Sequence, residues 1–263
     1  MADIVVSNAG GLADEINALR ASLAELVYQR DHLKFVVCEN IKMDYMLEIG
    51  NLEFNLFNLY CKFMRLKRKK EMIQTLINHG EEVDLDKIDF DLDEEFEEYQ
   101  SMLDEKMKEI DDALDRKNCD KLSPEDSKDL KFLYRELVKM LHLDLHPNLS
   151  DDKKEIFVKV VDAYKAGDID SLRIYYAMMS SFDDVDLPTL EEERDRLKAL
   201  IKAVYDEISE IKSSYPYNML VYLEDEDMKI KKQNEIRSQI TAYEEAIKNQ
   251  EQLIKTMMEC YNE

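Results

Sequence analysis

The chain has 263 residues and a formal charge of −23, from 59 acidic and 36 basic residues. Such an acidic surface repels nucleic-acid phosphate and anionic lipid, so we expect neither nucleic acid nor a membrane as a partner. Five Gly, four Pro and 36% charged residues are typical of long helices packed along narrow apolar seams. No apolar window reaches about 18 residues, and no signal-peptide pattern is present, so a soluble cytoplasmic protein is expected.

Long helices are predicted in the first part of the chain, where apolar residues recur at alternating steps of three and four. One helix is predicted over residues 12–44, and an antiparallel helical hairpin over residues 45–118 that turns at an acidic loop after Gly80. Heptad spacing places these apolar residues on one stripe per helix, and each stripe has to pack against another helix. We interpret the stripes as coiled-coil core and predict no cofactor.

Residues 119–182 have a different pattern and are predicted to form short helices. The stretch Ser123-Pro124-Glu125-Asp126 combines a hydroxyl cap, a first-turn Pro and two acids, which is a strong helix start. That helix is predicted to end near His142, before a polar loop. A second helix is predicted to end at Gly167, and a third to follow it to about Ser180.

The C-terminal part, residues 183–263, is predicted to form another antiparallel coiled-coil hairpin, with its turn near Tyr215-Pro216-Tyr217. The helix over residues 12–44 is then free to bundle with this hairpin. The predicted fold is therefore all-α. It consists of elongated antiparallel coiled-coil hairpins or a helical bundle, with the short helical segment of residues 119–182 inserted between them.

Linked motifs stand out in the inserted segment. Tyr134-Arg135-Glu136-Leu137-Val138 leads to His142-Leu143-Asp144, and the next predicted helix carries Phe157-Val158-Lys159-Val160-Val161-Asp162-Ala163-Tyr164. This segment resembles the J-domain, the module by which co-chaperones activate the ATP-driven seventy-kilodalton heat-shock chaperones. In that family Tyr-Arg-x-Leu-Ala leads to His-Pro-Asp, and a second helix carries Phe-x-x-Ile-x-x-Ala-Tyr.

The register of the motif selects one of two similar tripeptides. His142-Leu143-Asp144 lies at the family's spacing from Tyr134, whereas His146-Pro147-Asn148 would need its anchor tyrosine at Val138. The chain departs from the family at Leu143, which stands in place of Pro. It also lacks the family's first helix, and we expect the helix that ends near Asn118 to cover the apolar face instead.

The resemblance implies a helical hairpin with an apolar core and a partner-binding surface. The core residues implied are Tyr134, Leu137, Phe157, Val160 and Tyr164, and the partner-binding residues are Lys131, Arg135, Lys139, His142 and Asp144. Helical spacing by itself also places Lys128, Lys131, Arg135, Lys139 and His142 on one face. A J-domain presents a basic face of this kind to an acidic patch on its chaperone.

We therefore expect a J-domain-like co-chaperone or adaptor and not an enzyme, with the coiled coils holding a client or partner protein. A purely structural coiled-coil scaffold that keeps the hairpin as a packing unit is the main alternative, and self-association through the seams stays open. His142-x-Asp144-x-His146 could also be a set of metal ligands, but no further ligand is visible and we predict no metal. The cations of the basic face could instead pair with acids of the same chain.

Overall fold

The computed structural model describes residues 2–118, 122–179 and 190–262. Within these ranges the chain forms helices and no strand, which confirms the all-α class predicted from the sequence. None of the helices in these ranges combines the length and the apolar character needed to cross a membrane.

The helices follow one another with short connections. In chain order they are α1 (Ala2–His32), α2 (Cys38–Tyr45), α3 (Asn51–His79), α4 (Leu85–Glu95), α5 (Glu97–Asn118), α6 (Pro124–Leu141), α7 (Asp151–Ala166), α8 (Ile169–Met179), α9 (Leu190–Ser213), α10 (Leu220–Glu224) and α11 (Glu226–Asn262). Turns of π-helix at Leu33–Val37 and Met46–Gly50 separate α1, α2 and α3, and a 3-10 turn covers Tyr217–Met219.

The chain divides into two compact units, each built from an early and a late segment. The first unit comprises Met1–Asn40 and Asp120–Asn218, and the second comprises Ile41–Cys119 and Met219–Glu263. Both units therefore depend on packing between residues that are far apart in the sequence.

In the first unit, α1 and α9 lie side by side and run in the same direction. Arg20 forms an ion pair with Glu193 at 3.0 Å and Arg30 forms one with Glu207 at 3.1 Å, so later residues of α1 meet later residues of α9. The helices α6, α7 and α8 pack on the same apolar core. Its fully buried members include Leu23, Val27, Tyr134, Leu137, Val138, Leu172 and Leu197.

In the second unit, α3 and α11 also run in the same direction. Glu53 pairs with Lys232 at 3.4 Å and Lys62 pairs with Glu251 at 3.0 Å. The helices α4 and α5 return antiparallel along the preceding helices. Two apolar clusters contain part of this unit's buried residues: Tyr45, Ile49, Ile236 and Ile240 in one, and Ile73, Ile88 and Leu92 in the other.

The structure corrects the pairing predicted for residues 183–263. Instead of an antiparallel hairpin, α9 packs against α1 in the first unit, and α11 packs against α3 in the second. The predicted N-terminal helix over residues 12–44 is likewise divided between the units rather than bundled with such a hairpin. The physical reason is that an apolar stripe requires a partner stripe but specifies neither which helix supplies it nor its direction.

Candidate functional site

The hairpin of α6 and α7 is held together by two tyrosines. The rings of Tyr134 and Tyr164 stack with centroids 3.9 Å apart and planes inclined by 12°, and both side chains are buried. Leu137 and Val160 are fully buried beside them, and Phe157 is half-buried. All five residues that the motif assigns to the hairpin core therefore lie in one apolar cluster.

The outer side of this tyrosine pair is covered by the end of α1. The Tyr134 hydroxyl donates to Asp31 Oδ2 over 2.7 Å, and His32 Nδ1 lies 2.9 Å from the Tyr164 hydroxyl. Arg30 donates from Nε and Nη2 to Asp31 Oδ1, so the carboxylate is bonded on both oxygens. Burial, reinforced by the charge of Asp31, raises the pKa of Tyr134 well above its usual range, so its hydroxyl stays a donor.

The expectation that the helix ending near Asn118 covers the hairpin is therefore wrong. That helix, α5, belongs to the second unit, whereas α1 packs against α6. Arg30, Asp31 and His32 interrupt the apolar stripe of α1, and this polar interruption is the signal in the sequence that the prediction overlooked. A buried hydroxyl such as that of Tyr134 requires a polar partner, and the interruption supplies it.

His142, in the position of the motif's histidine, is buried. Its side chain makes an edge contact with Phe157, and its Nδ1 accepts a hydrogen bond from the Asp144 backbone N–H over 3.2 Å. Burial lowers the pKa of His142, and the nearby Asp144 carboxylate only partly opposes this shift. A neutral ring is what the acceptor role of Nδ1 requires. The prediction that His142 faces a partner is wrong, because its ring packs inward.

The loop after α6 is fixed by local hydrogen bonds and by α9. The His142 carbonyl accepts from the backbone N–H groups of Leu145 and His146, both over 3.0 Å. His146 Nε2 lies 2.7 Å from the Lys139 carbonyl oxygen. From α9, Arg196 Nη1 donates to the Asp144 carbonyl oxygen over 2.7 Å. These contacts restrict the loop, which lacks the family's Pro at Leu143.

Arg196 is itself positioned by a buried acid. It donates from Nε and Nη2 to the two carboxylate oxygens of Glu193, which is 2% exposed, and Arg20 of α1 donates to the same carboxylate over 3.0 Å. Hydrogen bonds from these arginines lower the pKa of Glu193. The sequence analysis assigned no role to Glu193 or Arg196.

The predicted basic face of α6 is only partly available to a partner. Lys128, Lys131 and Lys139 are exposed, and we call them the lysine face. Arg135 lies with its guanidinium 4.6 Å from the centroid of Tyr28 and its Nε 3.1 Å from Glu25. Arg135 therefore pairs mainly with α1. This agrees with the alternative that cations of the basic face pair with acids of the same chain.

The other groups of the loop have limited exposure. Asp144 is half-buried, with its carboxylate 3.7 Å from His142 Nδ1. Leu143, in the position of the family's Pro, is 45% exposed. The exposed part of the predicted surface is thus the lysine face together with the tip of the loop at Leu143.

The metal hypothesis for His142, Asp144 and His146 finds no geometric support. His142 Nδ1 is hydrogen-bonded to the backbone N–H of Asp144, and His146 Nε2 to the backbone carbonyl of Lys139. No group of His, Cys, Asp or Glu able to hold a metal ion occurs among the residues that the structure describes. The thiols of Cys38 and Cys61 are buried and unpaired.

Comparison with known proteins adds no relative. No protein-family model, no curated protein and no solved structure matches this chain. The function is therefore inferred from the motif resemblance and from the geometry of the hairpin.

Proposed function

We propose that the chain is a J-domain-like co-chaperone or adaptor that binds a seventy-kilodalton heat-shock chaperone. The contact surface is the lysine face of α6 with the adjoining tip of the loop at Leu143. One observation carries this proposal: exposed lysines follow one face of the helix that ends at the motif, on a chain with a net charge of −23. A local basic surface on so acidic a chain selects an acidic partner.

The electrostatic surroundings of α6 support this proposal. Of the three acids in its first half, Glu125, Asp126 and Asp129, the last two face Arg173 of α8 at 3.8 Å and 3.3 Å. Lys139 pairs with Glu136 of the same helix at 2.6 Å. Among the described residues, no ion pair within 4.0 Å involves Lys128 or Lys131. The positive charge at this end of α6 is therefore not cancelled by short ion pairs.

The remainder of the chain has a separate part in this proposal. The parallel pair of α3 and α11 in the second unit, with the antiparallel α4 and α5, forms an extended helical surface of its own. We assign client or partner binding to these helices, and self-association through them is compatible with the same role.

A structural scaffold is the second candidate, and a specific observation favours it. His142 is buried, Arg135 is held by Tyr28 and Glu25, and Arg196 fixes the loop. Such contacts are what a hairpin used only as a packing unit of the first unit would need. In that case the lysine face is an ordinary solvated surface and binds no chaperone.

The experiment that separates these candidates is a binding titration with matched charge reversals. The double variant Lys131→Glu/Lys139→Glu reverses the lysine face, whereas Lys202→Glu/Lys212→Glu makes the same change of charge on exposed positions of α9. We expect the first variant to weaken chaperone binding about tenfold or more and the second to have little effect, because close charge pairs dominate such contacts. Both variants should keep the wild-type melting temperature, since exposed charges contribute little to stability.

Salt provides the second arm of that experiment. Binding through the lysine face should weaken as the salt concentration rises, because exposed charges are screened at a Debye length of about 8 Å at physiological ionic strength. Equal losses for both double variants would show that only net charge matters and would remove the lysine face from the proposal. A wild-type chain that binds no chaperone at any salt concentration would leave the scaffold as the function.

A further inference from the structure

Phe132 lies within the lysine face, and sequence reasoning assigned it no role. It lies about one helical turn after Lys128 and about two turns before Lys139, so these side chains share one face of α6. The Phe132 side chain is 55% exposed. Single exposed apolar residues are common on protein surfaces, so exposure alone does not indicate a function. The position of Phe132 among exposed lysines is the feature that indicates one.

The ring of Phe132 packs against α8. Its centroid lies 6.4 Å from that of Tyr176, with the planes inclined by 58°. One turn earlier on both helices, Arg173 pairs with Asp129 at 3.3 Å. These two contacts between α6 and α8 limit the positions that the Phe132 ring adopts. An aromatic side chain that is ordered before binding loses less conformational entropy when a partner covers it.

We propose that Phe132 is the apolar anchor of this docking surface and that its partner presents an apolar pocket rimmed by carboxylates. The inference rests on the proposed function and names the chemistry of the partner's side of the contact. The charge of Lys128 and Lys131 selects an acidic rim, and the half-exposed ring selects an apolar centre. Anchors of this kind are aromatic, lie near the middle of an interface and are surrounded by polar residues.

The two parts of the surface have separable kinetic effects. Long-range attraction by the lysines accelerates association and depends on salt. Burial of an aromatic ring acts at short range, so it slows dissociation and is nearly independent of salt. An anchor at Phe132 is therefore distinguishable from a surface that works by charge alone.

The test measures association and dissociation rate constants of the full chain on the purified seventy-kilodalton chaperone across a salt series. We expect Phe132→Ala to raise the dissociation rate constant about tenfold and to leave both the association rate constant and its salt dependence unchanged. Phe132→Leu keeps an apolar side chain and should lose less. Phe90→Ala, which removes a 62% exposed ring in the second unit, is the matched control and should change neither rate constant.

The outcomes distinguish this inference from the function on which it rests. If the wild type binds and Phe132→Ala dissociates no faster, the anchor is wrong while chaperone binding stands. A wild type that does not bind the chaperone overturns both. Equally tight binding of a single-stranded oligonucleotide that depends on Phe132 would also overturn the inference, because the ring would then serve base stacking on a nucleic acid.

Discussion

Asp31→Ala is expected to lower the free energy of unfolding by about 3–5 kcal/mol, the usual effect of removing one member of a buried charged pair. Asp31 is 3% exposed, and its carboxylate accepts from the Tyr134 hydroxyl and from the Arg30 guanidinium. Its removal leaves a buried hydroxyl without its acceptor and a largely buried cation without its nearest counter-charge. The hydroxyl is desolvated and loses its acceptor, and Arg30 keeps only its pair with the exposed Glu207 at 3.1 Å.

Urea denaturation of the full chain measures this effect, with two control variants. Asp31→Asn keeps an acceptor for Tyr134 and loses only the charge, so it should cost less than Asp31→Ala. Asp206→Ala removes an exposed acid from α9 and should change the unfolding free energy by less than about 0.5 kcal/mol. Equal losses for Asp31→Ala and Asp206→Ala would contradict the role assigned to α1 in covering the hairpin.

Leu143→Pro is expected to raise the stimulation of chaperone ATP hydrolysis by about two- to fivefold, if the loop loses activity only through greater freedom before binding. The backbone of His142, at φ −71° and ψ 130°, already has the conformation that a residue before Pro adopts. No hydrogen bond from the Leu143 backbone N–H occurs among the described residues, so Pro removes no donor in use. Pro at a compatible position stabilises a protein conformation by about 0.4–1 kcal/mol. A difference of that size in the activation free energy changes a rate about two- to fivefold.

The measurement is single-turnover ATP hydrolysis by the chaperone at saturating and at limiting concentrations of the chain. Leu143→Ala shortens the same exposed side chain without restricting the backbone, and it should leave the stimulation unchanged. If Leu143→Pro leaves the fold intact but lowers the stimulation or leaves it unchanged, the loop does not act through its stiffness.

The ends of α6 and α7 were predictable because they depend on local chemistry. The Ser123 hydroxyl accepts from the Asp126 backbone N–H over 3.0 Å, as expected for a helix cap. Gly167 ends α7 with φ at +71°, a conformation that glycine adopts without strain. These features follow from residues close in the sequence, so a single sequence is enough to place them.

The pairing of the long helices was not predictable because each apolar stripe fits several partners. The stripe that includes Leu197 packs on α1, although the same spacing would fit another helix in either direction. The hairpin core had a stronger signal, since Tyr134 and Tyr164 belong to a motif of fixed spacing. The burial of His142 depends on its surroundings in the folded first unit, which the motif alone does not contain.

Amide hydrogen exchange of the full chain, measured with and without the seventy-kilodalton chaperone, tests most directly whether α6 and its loop form the docking surface. We predict slower exchange in peptides from residues 128–149 when the chaperone is present, because a bound partner opposes the opening of α6. Peptides from α3 and α11 should exchange at the same rate in both samples when no client is added. Unchanged exchange over residues 128–149, with slower exchange confined to α3 or α11, would contradict the proposed function.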